Sequence, residues 1–101
     1  MSPTRILIVE DERLVADDLR ETLELSGYEV LAMVDSGEDA IAAAGNLQPD
    51  LVLMDIRLAG EMDGIEASNI IQAQFQIPVV YLTANADHGT LNRVKSSHPF
   101  G

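Results

Sequence analysis

Carboxylates occupy the places in this sequence where chemistry could be done. Glu10-Asp11-Glu12 follows directly on the apolar run Ile6-Leu7-Ile8-Val9, and Asp55 follows directly on a second run, Leu51-Val52-Leu53-Met54. A third run, Val79-Val80-Tyr81-Leu82, leads into Thr83-Ala84. A carboxylate can act as a nucleophile or hold a hard cation. Two carboxylates about 4 Å apart repel by roughly 4 kcal/mol at an effective dielectric of about 20, a cost that a bound cation removes. The chain has no cysteine, and its two histidines, His88 and His98, are remote in sequence from these acids. Oxygen-only ligands favour Mg²⁺ over Zn²⁺. The Thr83 hydroxyl suits an anionic oxygen, and Ala84 is small enough to leave the site open. Glu12 has a simpler explanation, because acidic residues favour helix N-termini.

Regular elements must bring these residues together. Ile6–Val9 reads as a strand buried on both faces. A helix from about Arg13 to Ser26 presents Val15, Leu19 and Leu23 at i, i+4 spacing, and Gly27 stops it. A second strand covers about Val30 to Val34. Ser36 can cap a helix whose apolar stripe is Ala40, Ile41, Ala44 and Leu47, broken by Pro49-Asp50. Leu51–Met54 is the third strand. A loop from Ile56 to about Met62 leads to a helix opened by Asp63 or Gly64, with Ile65, Ala67, Ile70 and Ile71 as inward positions. Pro78 introduces a fourth strand, Val79–Leu82, and a weaker fourth helix spans about Ala86 to Ser96. Strands alternating with helices imply an α/β fold with a parallel sheet, helices on both faces and right-handed crossovers. Ligands of such a sheet bind outside the carboxyl ends of the strands. Glu10-Asp11-Glu12, Asp55 and Thr83-Ala84 all stand there.

Composition narrows the class. The 101 residues suit one domain. With 47% hydrophobic residues the chain can bury a core, unlike a disordered acidic segment. Its net charge of −11 opposes direct nucleic-acid binding and binding to an anionic membrane. The short run Ile6–Val9 is neither a signal peptide nor a membrane span. His88, His98 and the paired Asp17-Asp18 with Glu21 read as solvated surface.

Four segments together resemble the response-regulator receiver domain (CheY-like) of two-component signal transduction. They are Ile6 to Glu12, Pro49 to Asp55, Met62-Asp63-Gly64-Ile65-Glu66, and Ile77 to Ala84. They occur in the family's order and span almost the whole chain. The resemblance implies a flavodoxin-like three-layer sandwich with strand order 2-1-3-4-5. It also implies that Asp55 accepts a phosphoryl group from the phosphohistidine of a sensor histidine kinase. Mg²⁺ would be held by Asp11, Asp55 and the backbone carbonyl of Arg57, with Glu10 acting through metal-bound water. Thr83 would hydrogen-bond a phosphoryl oxygen and move towards it as the switch, and Ala84 would permit access. The domain would be a cytoplasmic phosphoprotein that catalyses only its own phosphoryl transfer and autodephosphorylation, in some proteins joined to an output domain.

The sequence departs from the family pattern in two places. The loop from Asp55 to Gly64 is one residue longer than is common, with Ala59 where proline is frequent. The chain also stops at Pro99-Phe100-Gly101, where a fifth strand bearing a lysine, then a fifth helix, would follow. Residues 1–101 therefore read as a C-terminally incomplete receiver whose fourth strand has an exposed edge suited to self-association. Three alternatives compete. A degenerate receiver would only bind partners. A small Mg²⁺-dependent phosphohydrolase would use Asp55 as nucleophile, but Arg57 is a poor general acid and no cap segment is present. A flavin-type binder would need a phosphate loop where Glu10-Asp11-Glu12 stands.

Overall fold

The computed structural model describes residues 3–58 and 60–82. Thr83, Ala84, His88, His98, the expected fourth helix and the C-terminal tail lie outside the described residues, as does Ala59. The elements are β1 (Arg5–Val9), α1 (Arg13–Leu25), β2 (Glu29–Val34), α2 (Gly37–Leu47), β3 (Leu51–Asp55), α3 (Gly64–Phe75) and β4 (Val79–Leu82). The four strands form one parallel sheet in the order β2-β1-β3-β4. This is the expected order as far as the described residues run.

The position of β1 follows from its composition. Ile6, Leu7, Ile8 and Val9 are all almost fully buried, which only an inner strand covered on both faces allows. Their side chains alternate between two cores. Leu7 and Val9 join Val52, Met54 and Val79 beneath Ala40 and Ala44 of α2 and Ala67 and Ile71 of α3. Ile6 and Ile8 face Ala16 of α1, with Leu19, Leu23, Leu51 and Leu53 packed around them. Each fully buried Ile, Leu, Val or Met side chain contributes roughly 1.5–3 kcal/mol.

The helix ends show why the elements start and stop where they do. The Ser36 hydroxyl accepts the Asp39 N–H at 3.1 Å and caps α2. The Asp63 carboxylate accepts the Glu66 N–H at 2.9 Å and caps α3. Gly27 takes a positive φ of 95° after α1, a conformation that needs no Cβ. The stop of α2 lies one residue before the expected break. Gln48 takes the left-handed conformation, and Pro49 then prevents continuation.

Arg5 ties three elements together. Its guanidinium donates to the carbonyl oxygens of Leu47 (2.9 Å) and Gln48 (3.0 Å) at the end of α2. Its backbone N–H donates to Asp50 Oδ2 at 2.8 Å, and its carbonyl accepts the Asp50 N–H at 2.8 Å. The start of β3 is thereby fixed beside the start of β1.

One expectation about α1 needs correction. Ala16, not Val15, is the residue buried against the sheet, at 2% exposure, whereas Val15 is 39% exposed. Leu19 and Leu23 pack on the core as expected, and the small Ala16 takes the place of Val15 in the contact with β1. In α3, Ile70 is only half-buried and Ser68 is fully buried, its hydroxyl accepting from Gln72 Nε2 at 2.8 Å.

Candidate functional site

The β1–β3 register builds the site. The strands pair in parallel from Ile6 with Leu51 to Val9 with Met54. One step further along both strands come Glu10 and Asp55. Side chains of a strand alternate faces. Glu10 lies two residues past Ile8 and Asp55 two past Leu53, both of which face α1. The two carboxylates therefore fall on the same face, and Asp11 joins them at the turn into α1. One carboxylate oxygen each from Glu10, Asp11 and Asp55 lies within 4.8 Å of the others.

Their surroundings differ. Glu10 is only 9% exposed, Asp55 is half-buried, and Asp11 stands exposed at the mouth. The Glu10 N–H donates to the Val34 carbonyl at 2.9 Å, which keeps its backbone in the sheet ladder. The Arg57 N–H donates to Asp55 Oδ1 at 3.2 Å and orients that carboxylate. Glu10 Oε2 is buried with no hydrogen-bond partner.

The Glu10 carboxyl is pushed up to about 8, first by burial, then by hydrogen bonding to Asp55 and by the Asp55 charge. Asp11 adds to the rise, and a backbone hydrogen bond from Glu12 opposes it. Two ionised carboxylates have no proton to share, so one must be protonated for them to bond. Burial selects Glu10 for that role. A groove of about 360 Å³ opens beside the cluster, lined by Glu10, Asp11, Arg13, Met33, Asp35 and Asp39.

This donor set fits a hard divalent cation. It is all oxygen, it contains a buried oxygen with no partner, and its largest electrostatic cost is one that a cation would relieve. Glu10, Asp11 and Asp55 are thus the expected residues that the fold brings together. Arg57 meets the site through its backbone N–H. Glu12 stays apart, exposed at the N-cap of α1 with no side-chain capping bond.

Sequence reasoning missed Gly64 as a part of the site. Its N–H donates to the Ile56 carbonyl at 2.8 Å, and its bare Cα lies against the backbone of Asp55. A Cβ on Gly64 would collide with the Asp55 carbonyl oxygen and come within 2.9 Å of its carbonyl carbon. A glycine at the first position of a helix reads only as a helix start, so close backbone approach across the loop leaves no signal in the sequence.

The receiver domain of response regulators matches residues 6–98 of the chain. The transcriptional regulatory protein PdtaR of Mycobacterium tuberculosis is 37% identical over 95 residues, covering 94% of this chain and 46% of that protein. The DNA-binding response regulator MtrA of Mycobacterium leprae is 39% identical over 83 residues, covering 82% of this chain and 36% of that protein. The chain thus spans less than half the length of these relatives. Among solved structures, the signal receiver domain of a modulated diguanylate cyclase from Desulfovibrio desulfuricans superposes with a TM-score of 0.89 at 42% identity. That match covers 98% of this chain and 79% of the other. Fold, strand order, acidic cluster and sequence agree, and the chain belongs to the response regulator receiver domain family.

Proposed function

We propose that Asp55 is the phosphoacceptor of this domain. The observation that carries the reading is the convergence of Glu10, Asp11 and Asp55 at one end of the sheet, with Asp55 oriented by the Arg57 N–H. In the reaction an Asp55 oxygen attacks the phosphorus of a phosphohistidine on a sensor histidine kinase. The P–N bond breaks, the histidine nitrogen leaves with the electron pair, and an acyl phosphate forms on Asp55. Bound Mg²⁺, held by Asp11, Asp55 and the Arg57 carbonyl with Glu10 behind water, would neutralise charge as the phosphoryl group arrives. Asp55 supplies the nucleophile, and its half-buried position limits the water that could compete. Thr83 would donate its hydroxyl to a phosphoryl oxygen and Ala84 would keep the approach open.

Receiver domains interact with histidine kinases and with output domains. The names of PdtaR and MtrA favour a transcriptional output in a longer protein, delivered through a part other than this acidic domain. Among the described residues β4 pairs only with β3, and its Val80 is exposed. That edge is a candidate for self-association, which sedimentation across a concentration series would reveal. No helix among the described residues is long and apolar enough to cross a membrane. A cytoplasmic location suits partnership with a kinase domain.

Incubation with acetyl phosphate and Mg²⁺ followed by intact-mass measurement tests the reading. Wild type should gain one phosphoryl group and Asp55→Ala none. Equal labelling of both proteins would exclude Asp55 as the acceptor.

A further inference from the structure

The loop between Asp55 and α3 is held from outside the site. Ile56 is buried, and Leu58 and Met62 pack onto the core beneath α2 and α3. Met62 also sits directly over Gly37, the first residue of α2. A Cβ on Gly37 would lie 2.9 Å from Met62 Cγ, 3.0 Å from its Sδ and 3.2 Å from its Cβ. Gly37 therefore forms a notch that the Met62 side chain fills. Two residues earlier, Gly60 takes a positive φ of 93°, and a Cβ there would lie 3.8 Å from Glu38 Oε1. The loop thus rests on the first turn of α2 through Met62. Its other side carries the Arg57 N–H that bonds Asp55 Oδ1.

We propose that Met62 is a positioning residue, whose seat on Gly37 sets the height of the loop and so the approach of the Arg57 backbone to Asp55. Cation affinity and phosphoryl uptake then depend on a contact with α2 that touches neither the cation nor the phosphoryl group. This inference rests on the phosphoacceptor reading above. The sequence supports it through size. Gly37 stands at the first position of α2 without a positive φ, so its backbone accepts an alanine and the missing Cβ serves only to make room for Met62. Alanine at this position would fit the helix backbone and still displace Met62.

The test is a double-mutant cycle read by calorimetric titration of Mg²⁺ on the folded protein well below its melting temperature. Gly37→Ala and Met62→Ala should each weaken Mg²⁺ binding by about tenfold, the range for outer-shell supports of a metal site. The Gly37→Ala/Met62→Ala double variant should be no weaker than Met62→Ala, because alanine at 37 then has nothing to displace. Met62→Leu should bind like wild type. Phe75→Ala, which truncates a core-packed ring lying against Gly45 near the other end of α2, should lose stability and keep its Mg²⁺ affinity. Unchanged affinity in Gly37→Ala, or losses that multiply in the double variant, would overturn the inference, as would a comparable loss in Phe75→Ala. Acetyl-phosphate labelling of the same proteins separates the two readings. Wild type that binds Mg²⁺ but takes no phosphoryl group refutes the phosphoacceptor function and leaves the Met62 cycle readable. Wild type that binds no Mg²⁺ refutes both.

Discussion

The outer face of α1 and the carboxyl end of the sheet are both acidic, but they hold their charge in different ways. On α1, Asp18, Glu21 and Glu24 are exposed, and Asp17 is partly covered and 3.4 Å from the exposed Arg13. Water and salt screen charges placed like this, and an exposed i, i+4 ion pair is worth about 0.3–0.5 kcal/mol. Within the cluster at the sheet end only Asp11 is comparably exposed. Glu10 is buried and Asp55 half-buried, on neighbouring strands whose pairing prevents them from moving apart. The same residue type is scattered surface on one element and a close cluster on the other. Backbone constraint makes the difference, because α1 carboxylates can swing into solvent and the pair on β1 and β3 cannot.

Experiments can break that contrast, beginning with the largest effect. Asp55→Ala should abolish phosphoryl uptake, whereas Asp18→Ala should label to the same extent as wild type by intact mass with acetyl phosphate. Loss of labelling in both would mean that the helix face also takes part. Gly64→Ala comes next, since its Cβ has no space beside the Asp55 carbonyl. It should cost about 1–3 kcal/mol in urea unfolding, as overpacking does. It should also weaken Mg²⁺ binding, because relief of the clash moves Asp55.

The buried pair should also set a pH dependence that the helix face lacks. The Glu10 carboxyl rises from its ordinary 4.5 to about 8 in the folded protein. Between those values the folded state keeps a proton that the unfolded chain has released. Without metal, stability should therefore fall as pH rises from about 4.5 through about 8. Glu10→Gln should flatten that slope in chemical unfolding, because its amide can donate to Asp55 as the protonated acid does. Added Mg²⁺ should restore stability at high pH, by about 2.7 kcal/mol at one hundred times its Kd. The smallest effect belongs to the surface. Asp18→Asn with Glu21→Gln should shift stability by no more than about 0.5 kcal/mol and leave the Mg²⁺ response unchanged.

Much of the site was legible before any coordinates. Apolar runs ending in Glu10-Asp11 and Asp55 mark strands with carboxylates at their ends, and the parallel-sheet rule puts such ends on one side. Ser36 and Gly27 announced their helix boundaries because capping and positive φ depend on local residue type. Other features were not legible. Nothing local distinguishes Val15 from Ala16 as the inward residue of α1, because the seating of a helix on a sheet depends on both surfaces. Gln48 is a C-cap with no glycine to betray it. Gly37 and Gly64 carry their meaning in what lies against them, Met62 in one case and the Asp55 backbone in the other.

By itself, then, the sequence determined an alternating α/β chain, buried inner strands and acids at the strand ends. These follow from periodicity and residue type, which act over a few positions. The tertiary structure decided which acids would meet and that Glu10 would be buried among them. Glu10 and Asp55 are neighbours because Ile6 pairs with Leu51, a register held by the Arg5–Asp50 bonds and by burial on both faces. The Glu10 carboxyl is pushed up because the fold buries it beside Asp55. Desolvation is a property of the assembled surroundings, and no reading along the chain contains it.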